Sequence, residues 1–90
     1  MTDRLRIALA QLNPKVGDLE GNFTLAQNAV ADALAAGADI LMFSELFTTG
    51  YFPEDLLFRA RFVSDAMDVA MRIAALTAEN ELSVLLPSVW

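Results

Sequence analysis

The chain has no cysteine, no histidine and a single lysine, Lys15, in 90 residues. The first two absences exclude a disulfide, a Cys/His zinc site, a thiol nucleophile and an imidazole base among these residues. Chemistry carried by the chain alone is confined to carboxylates, hydroxyls and that lysine. Basic charge is scarce too: 6 Lys and Arg stand against 12 Asp and Glu, giving a net charge of −6 and a pI of about 4.2. Nucleic-acid affinity rests on clustered cationic side chains, so a phosphate-binding domain is a poor reading. Long hydrophobic runs are missing as well. A membrane-spanning helix needs about 20 nearly uninterrupted apolar residues, whereas the runs Ile40–Phe43 and 84–86 are short and flanked by polar residues. The opening Met1-Thr2-Asp3-Arg4 lacks the apolar core of a signal peptide. A soluble, cytoplasmic protein is the expectation, and the missing cysteines agree with it.

What the chain has in excess is apolar character: 56% of residues are hydrophobic and the mean hydropathy is +0.43. Ordinary domains are about 45–50% apolar with glycine counted, and a chain this short buries only about 60–65% of its unfolded surface. The excess predicts either a partner surface or membership of a larger layered domain of which residues 1–90 are one part.

Segment 4–13 alternates, with Leu5, Ile7 and Leu9 on one face and Arg4, Arg6, Ala8 and Ala10 on the other, the period of a strand. Pro14 and Gly17 mark a loop, and Asp18 is placed to cap a helix over 19–36 whose stripe is Phe23, Ala26, Gln27, Val30 and Leu34. Gly37 stands where a left-handed C-terminal cap is expected. Ile40–Phe43 is apolar at every position, which predicts a strand covered on both faces. Pro53 suits the first turn of a short helix containing Glu54 and Asp55. A longer helix is predicted over 61–79, with Val63, Met67, Ala70, Met71, Ala74 and Thr77 inward, and a third strand over 82–86. Met42, Met67 and Met71 read as core filler. The order β-α-β-α-β, with right-handed crossovers, gives an α/β fold with parallel strands. Fifteen alanines make both helices permissive, and no internal repeat or low-complexity linker interrupts them.

Glu45 is the leading functional candidate. It lies two residues beyond the buried strand, and ligands in open α/β sheets gather at the carboxyl ends of strands. Partial desolvation there would raise a carboxyl pKa toward the range of a general base. The structural alternative is that Glu45 caps the next segment or pairs with an arginine. Tyr51, after Gly50, could line a pocket with its hydroxyl or brace the loop. Glu54 and Asp55 fit a helix N-terminus better than catalysis. Lys15 reads as solvated, and Gly17 and Gly21 do not form a phosphate loop.

The stretch Asp39-Ile40-Leu41-Met42-Phe43-Ser44-Glu45-Leu46, following an alanine-rich helix and a first strand ending Ala10-Gln11-Leu12-Asn13, resembles the start of the nitrilase, or carbon–nitrogen hydrolase, superfamily. The continuation Thr49-Gly50-Tyr51-Phe52-Pro53-Glu54-Asp55-Leu56-Leu57 looks more specifically like the N-terminal glutaminase domain of glutamine-dependent NAD synthetases. The resemblance runs from about Leu5 to Pro87. It implies an αββα sandwich, of which this chain is the N-terminal β-α-β-α-β portion, and a Glu, Lys, Cys catalytic set. It further implies glutamine as substrate and ammonia delivered to a synthetase domain that uses ATP and magnesium to amidate deamido-NAD. A homo-oligomeric parent is the expectation, with no nucleic-acid or membrane partner and no cofactor held by this chain. Of the catalytic set only Glu45, the general base, maps here. Lys15 precedes the glutamate, whereas the family lysine follows it.

The chain departs from many relatives in carrying Ser44, Phe52 and Ala60 where they have proline. Ser44 restores a backbone N–H beside the base, and none of the three changes removes the carboxylate. The expectation is a partial domain, ending before the family lysine and cysteine and inactive by itself. Two alternatives stay open: a different amide or nitrile as substrate, and a small non-catalytic α/β domain that binds a partner through its sheet edges.

Overall fold

The computed structural model describes residues 4–51, 59–78 and 80–87. Three strands, β1 (Ile7–Ala10), β2 (Ile40–Phe43) and β3 (Ser83–Leu85), alternate with two helices, α1 (Leu19–Ala35) and α2 (Ala60–Leu76). The strands pair in parallel in the order β1-β2-β3. The α/β class and the element order are those the sequence predicts. The first and third strands are shorter than the alternating segments suggest, and α2 ends three residues earlier than position 79. The short helix expected after Pro53, with Glu54 and Asp55, lies outside the described residues.

The caps follow from local chemistry. The Asp18 carboxylate accepts from the Gly21 N–H at 3.0 Å, satisfying one of the orphan donors of α1. At the other end Gly37 takes φ +73°, its N–H donates to Leu34 O, and the Ala38 N–H donates back to Ala33 O. That pair of bonds is a Schellman motif. Asp39 then joins helix to sheet: its carboxylate accepts from the Arg6 N–H at 2.8 Å, and its backbone bonds both Arg6 and Ser83.

A chain that steps steadily across a parallel sheet with right-handed crossovers puts both helices on the same face. The core shows this: Ala26, Val30 and Ala33 of α1 and Val69 and Ile73 of α2 meet Leu41 and Phe43 of β2. Register makes the two faces explicit. Ala8, Leu41 and Val84 form an inward row, while Leu9, Met42 and Leu85 form an outward one. The outward row is apolar yet exposed, with Leu9 at 63% and Leu85 at 52%. β2 is therefore covered on one face among the described residues, not on both, and Met42 is not core filler.

The inner stripes also differ from the expected ones. In α1 the buried set is Asn22, Ala26, Val30 and Ala33; Gln27 and Leu34 point out. In α2 it is Ala66, Val69, Ala70 and Ile73; Val63 and Met67 are half-buried, and Ala74 and Met71, the latter 60% exposed, face solvent. Both helices are turned by about one residue from the stripe read off the sequence.

Candidate active site

Beyond the carboxyl end of β2 the chain enters a run of turns over residues 45–49. Phe47, with no exposed surface, plugs this run into the core and tilts against the Phe43 ring, centroids 4.7 Å apart. Burying such a ring contributes about 1.5–3 kcal/mol, which ties the loop to the sheet. Leu46 takes φ +53°, a left-handed conformation unfavourable for a side chain with a Cβ. Strain of this kind persists where surrounding structure over-determines it, and here it falls on the residue directly after Glu45.

Glu45 and Ser44 form one wall of an open depression of about 300 Å³, completed by Tyr51, Asn13 and Pro14. Glu45 and Tyr51, the two residues singled out from the sequence, are thus brought together, with the loop after β1 opposite them. Glu45 is exposed, so the desolvation expected for a general base is not supplied by the described residues. Larger grooves border both sheet edges, one between β1 and α1 and one between β3 and α2. They are lined mainly by apolar side chains and do not include Glu45.

The two loops that frame the depression are held together at three points. The Asn22 side chain, 1% exposed, accepts from the Lys15 N–H at 2.8 Å and donates to Lys15 O at 2.9 Å and Thr48 O at 3.0 Å. The Gly17 N–H donates to Thr49 O at 2.9 Å. Gly50, at φ +79°, packs so closely on the other loop that a Cβ there would lie 2.6 Å from Val16 Cα. Sequence reasoning missed Asn22, Asn13 and Pro14. The available signal was a lone polar residue four and eight positions before Ala26 and Val30 on an otherwise small, apolar stripe.

The carbon–nitrogen hydrolase model matches residues 6–89 of the chain. The chain belongs to the carbon–nitrogen hydrolase family. Its relatives in this family include the glutamine-dependent NAD(+) synthetase of Thermotoga maritima, 43% identical over 83 residues that cover 92% of this chain and 14% of that protein. The enzyme of the same name from Rhodobacter capsulatus is 48% identical over 75 residues, 83% of this chain and 14% of its own length. Among solved carbon–nitrogen hydrolase structures, the glutamine-dependent NAD(+) synthetase of Cytophaga hutchinsonii superposes with a TM-score of 0.80 at 32% identity, covering 93% of this chain and 14% of that one. An amidase from Nesterenkonia sp. gives a TM-score of 0.66 at 33% identity over 78% of this chain and 27% of its own. The chain therefore spans about a seventh of the length of the synthetases it matches.

Among the described residues no helix is long and apolar enough to cross a membrane. No group of three or more His, Cys, Asp or Glu among them could hold a metal ion.

Proposed function

We propose that this chain is the opening portion of the glutaminase domain of a cytoplasmic glutamine-dependent NAD synthetase, and that it contributes the general base, Glu45. The observation that carries the reading is the position of Glu45 beyond the carboxyl end of β2, in a chain similar to such synthetases over 92% of its length. Glu45 takes the proton of a cysteine thiol supplied by another part of the domain. The thiolate adds to the side-chain amide carbon of glutamine, and a lysine, also supplied elsewhere, steadies the oxyanion. Glu45 returns that proton to the departing nitrogen, ammonia leaves, and water, giving a proton to Glu45, then cleaves the thioester to release glutamate and restore the thiol. Tyr51, across the depression from Asn13 and Pro14, contacts the substrate. ATP and magnesium act in the separate synthetase domain, where ammonia is joined to deamido-NAD. Because the thiol and the lysine are not in these residues, the 90-residue chain has no glutaminase activity by itself.

The test is Glu45→Gln in the intact enzyme. Glutamine-supported NAD synthesis is abolished, a loss of at least about 100-fold in keeping with removal of an acid–base group, while ammonia-supported synthesis is retained. Equal loss of both activities would assign Glu45 a structural role. The similarity to the Nesterenkonia amidase favours a second reading, in which the same base serves an amide other than glutamine. Assaying glutamine beside short aliphatic amides separates the two.

A further inference from the structure

We infer that Asn22, remote from the reacting atoms, is the positioning residue that fixes how far Glu45 stands from the opposite wall of its pocket. The inference rests on the reading of Glu45 as a base. The depression has two walls on two separate loops, Asn13 and Pro14 on one and Ser44, Glu45 and Tyr51 on the other. Its width is therefore the spacing between two loops that leave the sheet after the Ala10–Phe43 pair, and contacts beyond that pair are needed to hold them together. The fully buried Asn22 side chain bonds both, gripping the Lys15 backbone through its N–H and its carbonyl and reaching Thr48 O with its second donor.

A carboxamide suits this place because it offers one acceptor and two donors in a plane, and the three bonds use all but one lone pair of that capacity. A carboxylate of the same shape would oppose two carbonyl oxygens with no hydrogen to give them. Asn22 sits in the first two turns of α1, and α1 is locked to the sheet by Ala26, Val30 and Ala33. The bonds thus refer both loops to a rigid element. Gly50 acts at the same junction from the other side: its bare Cα lets the Glu45 loop close on Val16. Active-site displacements of about 1 Å can cost on the order of 100-fold in rate.

Asn22→Asp and Gly50→Ala, made separately in the intact enzyme, perturb this junction from opposite loops. The expected result for each is a glutamine-supported kcat at least tenfold lower per folded molecule. KM for glutamine changes less than threefold and ammonia-supported turnover stays within twofold. Folded fraction is measured by circular dichroism and thermal melting on the same samples. A variant that stays folded with kcat for glutamine within twofold of the parent overturns the inference. So does a loss that merely follows the unfolded fraction, since that describes a structural residue. Glu45→Gln run alongside keeps the two proposals apart: if that variant still uses glutamine, the assignment of the base fails, whatever Asn22 does.

Discussion

Arg72 shows how much one side chain can do on an exposed surface. Its guanidinium lies 4.1 Å over the Phe23 ring and 2.6 Å from the Glu20 carboxylate, bridging α2 to the first turn of α1. The hydrogen bond from Arg72 holds the Glu20 carboxyl below the ordinary carboxylate range, and the same bond raises the Arg72 guanidinium. A carboxyl depressed on folding contributes stability that is present above its unfolded pKa and lost as pH falls through the folded one. A raised guanidinium contributes stability lost only in strong alkali. The denaturation midpoint of Glu20→Gln is therefore expected to fall slightly below that of the parent at neutral pH and low salt, and to converge with it below about pH 4. The gap also narrows as salt is added, because both groups are exposed to screening. A gap that persists undiminished in acid would mean that Glu20 acts through packing.

Among the elements, α1 carries a test of its own cap. The Asp18 carboxylate folds over Gly21, and a Cβ at that position would collide with it. Alone, Asp18→Ala is expected to cost about 1 kcal/mol through the lost cap. Gly21→Ala would ordinarily gain about 1 kcal/mol of helix propensity, but here it displaces the cap and gains little. In the Asp18→Ala background the obstruction is gone and the gain reappears, so a double-mutant cycle by urea denaturation should show non-additivity on the order of 1 kcal/mol. Additive effects would show that the alanine methyl at position 21 leaves the cap undisturbed. Asp18 and Gly37 were legible in the sequence because capping is decided by one or two residues and their neighbours. The inner faces of the helices were not. In α1 Ala29, Ala31, Ala33, Ala35 and Ala36 spread small apolar residues around the whole circumference, so the phase of the stripe is weakly written. Large apolar residues such as Leu34 and Met71 drew the expected stripe toward them, yet both face outward. The position of Glu45 just past the carboxyl end of β2 was legible for a different reason: the uniformly apolar run Ile40–Phe43 marks where the strand lies and where it stops. The placement of Asn22 between the two loops and of Asn13 in the depression was not, because both depend on loops brought together by the register that pairs Ile7 with Ile40.

At the level of the whole molecule, the apolar excess has a location. Ile7, Leu9, Met42 and Leu85 gather part of it on the sheet face opposite the helices. A patch of this kind marks an interaction surface, and in the family reading the second layer of a sandwich covers it. The 90-residue chain studied alone is expected to self-associate and to bind a hydrophobic dye. Leu9→Lys together with Leu85→Lys should suppress both while leaving the helical circular dichroism unchanged, as sedimentation velocity and dye fluorescence would record. Dye binding unaffected by the pair would place the sticky surface elsewhere, with the grooves at the sheet edges as the next candidates. The pocket itself is independent of that face. Among the described residues, each that lines it or braces it falls between positions 13 and 51, within one β-α-β unit and the loop that follows it. During synthesis, the described walls around Glu45 therefore leave the ribosome ahead of α2 and β3, and the loop that carries Glu45 waits for Val69 and Ile73 of α2 to complete the core around Phe47.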